Sequence, residues 1–351
     1  MIASARPGRT AGLLALALGA ALVLTGCAAD SDAGAPDDTT APDSTTTPTT
    51  APETPEAFPV TVETVYGELT IDEKPERIIA LTGAYLDTLV ALDEEPVAFA
   101  GSPRANDDFL AGYPWFDGVV NMDNWDPSVS EYYAPVLEAI AAYEPDLILG
   151  DGDEWSISEE MYKEISLIAP TYTNPHGYDG WQGVLTDVGA LTGKSEQAAD
   201  VIAEVEAEIA DARERLPGLQ GASMVTADSR EPGSFELGGG AFLLTELGLV
   251  PDDELVATEN LSLENLDQLD SDVLVFMTFF ADNIGDALGR EKVEADPRFA
   301  SLPAVANGTV LWTGAPLVNA TADTGPRAIS WWLEQIVPQL EESALNTAGQ
   351  Q

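Results

Sequence analysis

Aromatic side chains recur just after the short apolar runs that we interpret as buried strands. Ligands of open α/β sheets bind beyond the carboxyl ends of the strands, so side chains at these positions are placed to meet a ligand. Indole, phenol and phenyl rings beside a couple of guanidinium groups suit a bulky ligand with apolar parts and a few oxygens. The candidate ligand-binding residues are Tyr85, Arg104, Trp125, Trp155, Tyr178, Trp181, Arg230, Phe235, Phe279, Phe280 and Trp312.

Some of these rings have a second interpretation. Tyr85, Phe235, Phe279 and Trp312 adjoin predicted strands, and aromatic residues next to strands often pack in the core instead. His176 is open to two interpretations as well, because it could be an ordinary turn residue or a ligand. The sequence pattern predicts where these side chains lie along the chain, and both interpretations of each remain open.

The counts of ionisable residues exclude several other kinds of site. The chain has 351 residues, with 14 Lys and Arg against 61 Asp and Glu, one His and one Cys. A single Cys excludes an intrachain disulfide and a thiolate metal cluster, and a single His excludes a site built from several histidines. A formal net charge of −47 repels phosphate backbones, which excludes the nucleic-acid-binding class. We expect no resident cofactor and no metal held by protein residues alone.

The first 57 residues have the pattern of a secretion signal followed by a spacer. Arg6 and Arg9 precede an apolar run over residues 11–24, which is short for a membrane span of roughly 20 residues and typical of a signal peptide over residues 1–26. The run ends in Leu-Thr-Gly before Cys27, which resembles the bacterial lipobox and implies acylation of that Cys. Residues 27–57 are rich in Thr, Pro and Asp, which predicts a disordered linker. We therefore expect a lipid anchor on the outer face of the cytoplasmic membrane.

Beyond the linker, the patterning predicts α/β layers. Residues 60–71 alternate apolar and polar around Gly67, which indicates a hairpin. The apolar runs that follow are separated by helical patterns, which is typical of mainly parallel sheets. Strands are predicted at 77–81, 97–100, 146–150, 171–173, 223–227, 272–277 and 309–312.

Two segments of the chain echo each other. A Leu-Glu pair, a following apolar residue, an Asp and three strand hydrophobes recur between residues 137–149 and 263–275, at a constant offset of 263 − 137 = 126. Each copy predicts a helix that leads into a buried strand. We therefore predict two similar lobes, one over residues 58–181 and one over residues 218–345, with a tail at 346–351.

A long helix is predicted between the lobes, within residues 182–217. Apolar residues recur at three- and four-residue steps from Ala198 to Leu216, and Asp211 and Arg215 form an i,i+4 pair. Ser195 is the expected N-cap, and the helix would be about 30 Å long. Such a connector predicts lobes that tilt by small angles about a cleft between them.

These features together resemble the ABC-transporter substrate-binding lipoproteins for ferric siderophores, haem and cobalamin, in which a single helix joins two α/β lobes. The resemblance covers nearly the whole chain from Phe58, and the family usually has Asn where this chain has Val136. It implies an extracytoplasmic, monomeric binding protein of an importer. It also implies that Glu138 and Glu264, one per lobe, pair with arginines of the two permease subunits. The similar segments are residues 74–81, 135–140, 144–148, 263–266 and 296–308.

The few cations and many rings favour a ferric hydroxamate siderophore as the ligand. Tris-catecholate and citrate complexes carry negative charges that would require a basic cluster, which this chain can hardly supply. Haem, with His176 or a loop Tyr as axial ligand, and cobalamin are the alternatives within the same fold.

An enzyme is the alternative from another class. Acid pairs such as Asp151 with Asp153, or Asp252 with Asp253, could serve a secreted carboxylate-dependent hydrolase. We expect no enzyme, because neighbouring carboxylates on so acidic a chain are usually solvated. The same acidity predicts a fold that needs salt to screen its self-repulsion, and thus a saline habitat.

Overall fold

The computed structural model describes residues 58–101, 108–177, 179–231, 234–238, 242–277 and 290–348, with the side chains of residues 229–231 excepted. The predictions about the signal peptide, Cys27 and the linker lie outside these residues. All of the described residues belong to one compact unit. Within this part of the chain, every helix is too short or too polar to cross a membrane.

Strands and helices alternate along most of the described chain. The strands are β1 (Val60–Thr64), β2 (Gly67–Ile71), β3 (Ile78–Ala80), β4 (Ala98–Phe99), β5 (Ser130–Glu131), β6 (Ala134–Pro135), β7 (Leu147–Gly150), β8 (Thr171–Thr173), β9 (Ser223–Glu231), β10 (Ser234–Gly238), β11 (Val250–Pro251), β12 (Asn260–Ser262), β13 (Val273–Met277) and β14 (Val310–Thr313). The α-helices are α1 (Gly83–Ala91), α2 (Phe109–Gly112), α3 (Leu137–Ala142), α4 (Glu159–Ile165), α5 (Trp181–Thr192), α6 (Ser195–Glu214), α7 (Phe242–Glu246), α8 (Asp253–Val256), α9 (Arg290–Ala295), α10 (Pro303–Asn307), α11 (Ala315–Ala322), α12 (Pro326–Glu341) and α13 (Ala344–Ala348). Shorter 3-10 segments are Pro114–Phe116, Met122–Asn124, Pro127–Val129, Pro217–Leu219, Leu263–Gln268 and Phe299–Ser301.

The N-terminal lobe contains a parallel sheet in the order β4-β3-β7-β8. Successive residues of its central strands enter different cores: Leu149 packs toward the core beneath α1 and α5, whereas Ile148 packs toward α3 and α4. Burial on both faces explains why these strands are continuous apolar runs. The predicted α/β class is confirmed, and the predicted strand at 171–173 coincides with β8.

The C-terminal lobe contains a mixed sheet in the order β12-β10-β9-β13-β14, with β11 also paired to β9. Strands β11, β9, β13 and β14 are parallel, as predicted for the last three. The antiparallel strands β10 and β12 and the extension of β9 to Glu231 are absent from the sequence-based prediction. They form a hairpin-based extension on one side of the sheet.

The echo between the lobes corresponds to a repeated structural unit. Leu137 begins α3, which leads into β7; Leu263 begins a 3-10 segment, which leads into β13. The repeated Asp also has the same role in both copies. Asp146 accepts backbone hydrogen bonds from residues 76 and 77 before β3, and Asp272 accepts one from Ser223 at the start of β9. Each carboxylate thus fixes the start of the neighbouring parallel strand.

The predicted interlobe helix is α6, but a second helix accompanies it. Helix α12 packs against α6 and also returns to pack on α1 of the N-terminal lobe. The Arg215 guanidinium joins the two helices, because it contacts Asp211 at 3.7 Å and Glu341 of α12 at 2.8 Å. The prediction that Ser195 caps α6 is wrong, since Lys194 occupies the N-cap position and no side chain caps this helix. Residues of both lobes share one main hydrophobic core, which includes Leu149 and Val275.

Candidate functional site

The carboxyl ends of the N-terminal strands are held together by a phenol and a carboxylate. Tyr85 is 1% exposed, and its hydroxyl lies 2.7 Å from the carbonyl oxygen of Gly150 and 2.8 Å from Asp151 Oδ1. Burial raises the pKa of Asp151 to about 7; the Tyr85 hydrogen bond lowers it, and the neighbouring Asp323 and Asp153 raise it further. Tyr85 therefore stabilises the loop after β7 and offers its ring little surface for a ligand.

The two lobes meet next to this loop. The Tyr113 hydroxyl, from the N-terminal lobe, donates to Asp323 Oδ2, which follows α11. Gly83 permits this approach, because a Cβ there would lie 2.6 Å from Tyr113 Cε1 and 3.1 Å from Asp323 Oδ2. The Asn319 amide also donates to the carbonyl oxygen of Gly112 at 3.1 Å. Hydrogen bonds thus hold the lobes together beside the partly buried Asp151.

A second buried carboxylate accepts hydrogen bonds from the other lobe. Asp87 of α1 accepts hydrogen bonds from the backbone N–H groups of Arg327 at 3.1 Å and Ala328 at 2.8 Å, in the first turn of α12. Burial raises its pKa to about 7, and these two hydrogen bonds oppose that effect. Asp87 therefore anchors the returning helix to the N-terminal lobe.

His176 is held in one orientation after the carboxyl end of β8. Its Nε2 lies 2.7 Å from Asp187 Oδ2, which also accepts a hydrogen bond from the Tyr172 hydroxyl at 2.9 Å. A carboxylate only accepts, so Nε2 carries the proton and, in a neutral ring, Nδ1 keeps its lone pair. The imidazole packs on α5, where a Cβ at Gly183 would lie 2.5 Å from its Cγ. At Gly180, the N-cap residue of α5, a Cβ would lie 2.5 Å from the His176 Cβ. Burial, with Asp187 second, raises the pKa of Tyr172 far above its usual range, which keeps its hydroxyl a donor.

The described aromatic candidates fall into two groups. Trp155 is 81% exposed in the loop after β7, and Trp125 and Trp312 are partly buried. Phe235 is 0% exposed and Trp181 is also buried, so both are core residues in this structure. Phe235 lies on the inward face of the unpredicted strand β10, and Trp181 faces inward at the start of α5. Proximity to a strand end could not reveal which way these rings face.

The remaining candidates cannot be placed. Arg104, Tyr178, Phe279 and Phe280 lie outside the described residues. Arg230 is part of β9, but its side chain is also outside them.

Arg290 is a cation that the sequence analysis missed. It begins α9, and its guanidinium carbon lies 4.9 Å from the ring centre of Trp312. Trp312 in turn stacks on Phe276 of β13 at 4.4 Å. The Nε of Arg290 donates to Glu294 at 2.7 Å, so the cation is partly neutralised. Its position ten residues after Phe280, on the segment that follows β13, is the signal that could have identified it.

Carboxylates neutralise much of the described positive charge. Ion pairs form between Lys74 and Glu94, Lys163 and Glu159, Arg215 and Glu341, Arg290 and Glu294, and Arg298 and Asp296. The carboxyl edge of the N-terminal sheet, by contrast, has Asp151 and Asp323 close together. The described residues at this edge, where the lobes meet, are therefore rich in carboxylates.

The large grooves among the described residues lie away from the loops at the carboxyl ends of the strands. Grooves of about 680 Å³ and about 420 Å³ are lined mainly by α6 and α12, with Glu204, Glu208 and Glu334 in both. A third, of about 460 Å³, lies beside α1 and residues 93–96. They do not include the loops beyond the strand ends. Groove volume alone would therefore not identify the cleft between the lobes as the ligand site.

The two predicted docking glutamates are both exposed. Glu138 lies in the first turn of α3, and Glu264 lies in the first turn of the 3-10 segment that precedes β13. Glu264 has a cation nearby, because the Arg298 guanidinium donates to its main-chain oxygen. Glu138 and Glu264 thus occupy equivalent positions in the repeated unit of the two lobes.

Comparison with known proteins agrees with this architecture. The sequence profile of the periplasmic binding protein family matches residues 78–317. The ferric enterobactin-binding periplasmic protein FepB of Escherichia coli is 30% identical over 157 residues, which are 43% of this chain and 47% of FepB. The probable siderophore-binding lipoprotein YfiY of Bacillus subtilis is 26% identical over 236 residues, which are 61% of this chain and 66% of YfiY. The matches thus span about half of FepB and just under two thirds of YfiY.

A solved structure shows the same fold over a longer stretch. The triscatecholate siderophore-binding protein FeuA of Bacillus subtilis, complexed with ferri-bacillibactin, superposes with a TM-score of 0.60 at 20% identity. The superposition covers 82% of this chain and 99% of FeuA.

Proposed function

Because this chain belongs to the periplasmic binding protein family, we propose that it captures a ferric siderophore outside the cytoplasm and delivers it to the permease of an ABC importer. The observation that carries this proposal is the pair of α/β lobes whose sheets end beside the Tyr113–Asp323 contact, with the exposed Trp155 at one strand end. Relatives named as siderophore-binding proteins support the substrate class. Transport relatives also favour a binding protein over a hydrolase.

The charges of the cleft favour a neutral or cationic ferric complex, of the hydroxamate type. The carboxylates of Asp151 and Asp323 would repel an anionic tris-catecholate, and Arg290, the described cation beside Trp312, is already paired with Glu294. Like charges brought together in a desolvated site cost several kcal/mol. Arg104 and Arg230 remain the proposed donors to hydroxamate oxygens.

Docking to the permease is proposed to use Glu138 and Glu264, one from each lobe. Each lies exposed at a helix start, where an anion is free to pair with a cation of the partner. Exposed ion pairs are individually weak, about 0–1 kcal/mol, so recognition would depend on using both. We further propose that acylation of Cys27 anchors the protein outside the cytoplasm; YfiY is named a lipoprotein.

Haem is the second candidate ligand, and one observation favours it. Asp187 fixes the tautomer of His176 so that Nδ1 has a lone pair, and no described residue occupies that atom. A histidine whose other nitrogen donates to a carboxylate is the usual arrangement of an iron-ligating imidazole. The loop after β8 therefore offers one potential axial ligand.

Ligand titrations monitored by tryptophan fluorescence test these alternatives. The protein without its signal peptide is titrated with a ferric trihydroxamate, a ferric tris-catecholate and haemin. We expect saturable quenching by the trihydroxamate, with a Kd at least about tenfold lower than that for the catecholate. Absence of quenching by every complex would reject a siderophore-binding function, and tighter binding of haemin that His176→Ala abolishes would favour the second candidate.

A charge-removing variant tests the cause of the selectivity. Asp151→Asn should increase the affinity for the anionic catecholate more than that for the uncharged trihydroxamate. Asp253→Asn, an exposed position at the start of α8, is the matched control and should change neither. Equal effects of the two variants would show that the acidic cleft floor does not select the ligand.

A further inference from the structure

A hairpin turn made of two tyrosines precedes the docking helix of the N-terminal lobe. Strands β5 and β6 are joined by Tyr132 and Tyr133, whose φ angles are 49° and 70°. Two-residue hairpins in which both φ angles are positive strongly prefer Asn-Gly. A bulky residue in this left-handed region of backbone conformation is an outlier. Tyr132 is nevertheless 79% exposed, so core packing does not explain the ring at this position.

The corresponding position of the other lobe has a similar backbone but a different surface. At the offset of 126 residues, Thr258 and Glu259 match Tyr132 and Tyr133, and Glu259 also has a positive φ of 61°. In both lobes the left-handed residue is followed by a short strand and then by the helical turn with the exposed Glu. In the C-terminal lobe the carbonyl oxygen of Glu259 accepts a hydrogen bond from the Leu237 N–H at 2.7 Å, so this residue is joined to β10.

We propose that the Tyr132 hairpin and Glu138 form the N-terminal half of the surface that docks on the permease. Glu138 would pair with a cation of one membrane subunit, and Tyr132 would enter an apolar recess beside that cation. This inference rests on the proposed function. Its basis is the exposed anion together with an exposed ring in a backbone conformation that costs stability, a combination that is typical of binding sites.

The equivalent half on the C-terminal lobe has no such ring. It consists of Glu264, with Arg298 and Asp296 beside it, and Thr258 at the position that corresponds to Tyr132. The two glutamates alone are equivalent and would permit docking in either orientation. An aromatic anchor on one lobe makes the halves unequal, so each lobe would select its own subunit.

Replacement of Tyr132 by a residue that tolerates a positive φ separates the surface role from a structural one. Tyr132→Asn should raise Tm by about 2–4 °C, because the turn loses strain, and should leave ferric trihydroxamate binding unchanged. Uptake of the iron complex, in cells that carry only this variant, should fall about tenfold, as expected when an aromatic anchor is lost. Leu167→Asn is the matched control, since Leu167 is an 86% exposed apolar residue elsewhere on the N-terminal lobe.

The outcomes distinguish this inference from the proposed function. Reduced uptake with raised Tm and intact ligand binding, in Tyr132→Asn but not in Leu167→Asn, supports the anchor. Unchanged uptake with Tyr132→Asn overturns the anchor, whereas the proposed function survives if Glu138→Ala with Glu264→Ala still lowers uptake. A wild-type protein that restores no uptake at all rejects the proposed function itself.

Discussion

The two lobes share a structural unit but differ in the sheets that contain it. In both lobes a helical turn with an exposed Glu leads into a central strand, and an Asp at the intervening turn fixes the start of the neighbouring strand. The N-terminal sheet is parallel throughout, whereas the C-terminal sheet adds antiparallel β10 and β12 beside β9. The turn with the exposed Glu is thus repeated in both lobes, whereas the sheets around it are not.

The chemistry of the strand ends differs accordingly. The N-terminal lobe contributes the hydroxyl groups of the buried Tyr85 and Tyr172 and the partly buried carboxylates of Asp151 and Asp187. The C-terminal lobe contributes a row of rings that runs across β10, β13 and β14. The repeated unit is thus common to both lobes, whereas the side chains around it differ, because Phe235 and Phe276 pack in the C-terminal core.

Removal of Phe276, the central ring of that row, should have the largest effect on stability. Phe276 packs between Phe235 at 5.4 Å and Trp312 at 4.4 Å, in a core confined to the C-terminal lobe. We expect Phe276→Ala to lower the free energy of unfolding by about 3–5 kcal/mol. Hydrogen exchange should show lost protection in β9, β13 and β14 before β3 and β7. Equal loss in both lobes would show that the lobes unfold as one unit.

The contact between the lobes provides the next test. Tyr113→Phe removes the hydroxyl that donates to Asp323 across the cleft, and the carboxylate stays in a buried site. Loss of one donor to a buried acceptor costs up to about 1–3 kcal/mol, so denaturant unfolding should show a loss within that range. Tyr132→Phe, an exposed hydroxyl, is the control and should leave stability unchanged. If Tyr113→Phe left the free energy of unfolding unchanged, the lobes would not depend on this contact.

The pH dependence of stability tests the raised pKa of Asp151. The pKa of Asp151 is raised to about 7 in the folded protein, above its unfolded value of 3.8, so the folded state binds more protons between these values. Stability from this group is therefore present at low pH and is lost as the pH rises from about 4 to about 7. Asp151→Asn should remove that loss, and its Tm should exceed that of the wild type more at pH 8 than at pH 4. A constant difference across this range would contradict the assignment.

The smallest effect is expected between the two helices that link the lobes. Glu341→Gln removes the charge that pairs with Arg215, but the pair is partly exposed and Asp211 remains nearby. We expect a change of at most about 1 kcal/mol in the free energy of unfolding, with less effect in high salt. A larger change would show that α12 depends on this pair to stay on α6.

Much of the fold followed from local patterns. Burial on both faces made β3 and β7 continuous apolar runs, and the stripe from Ala198 onward indicated α6 because its apolar residues pack on neighbouring helices. The antiparallel strands β10 and β12 were missed, since short edge strands such as Asn260–Ser262 have too few residues to show a period. The return of α12 to α1 was also missed, because Asp87 and the first turn of α12 are far apart in sequence.

The site was predicted less completely than the fold. Proximity to strand ends selected the loops after β7 and β8, and ligand binding by these loops stays a prediction. The same criterion could not decide that Phe235 and Trp181 face the core. The acidic character of the cleft floor was equally hidden, because it depends on Asp323 approaching Asp151 from the other lobe.

By itself, the sequence determined the α/β class, the repeated unit with its two glutamates and the helix between the lobes, since each depends on periodicity or spacing within a short stretch of chain. Only the tertiary structure decided which rings are buried, which carboxylates meet across the lobes and how Tyr132 is exposed at a strained turn. Those outcomes depend on strand register and on contacts between residues far apart in the chain, and local patterning contains no information about either.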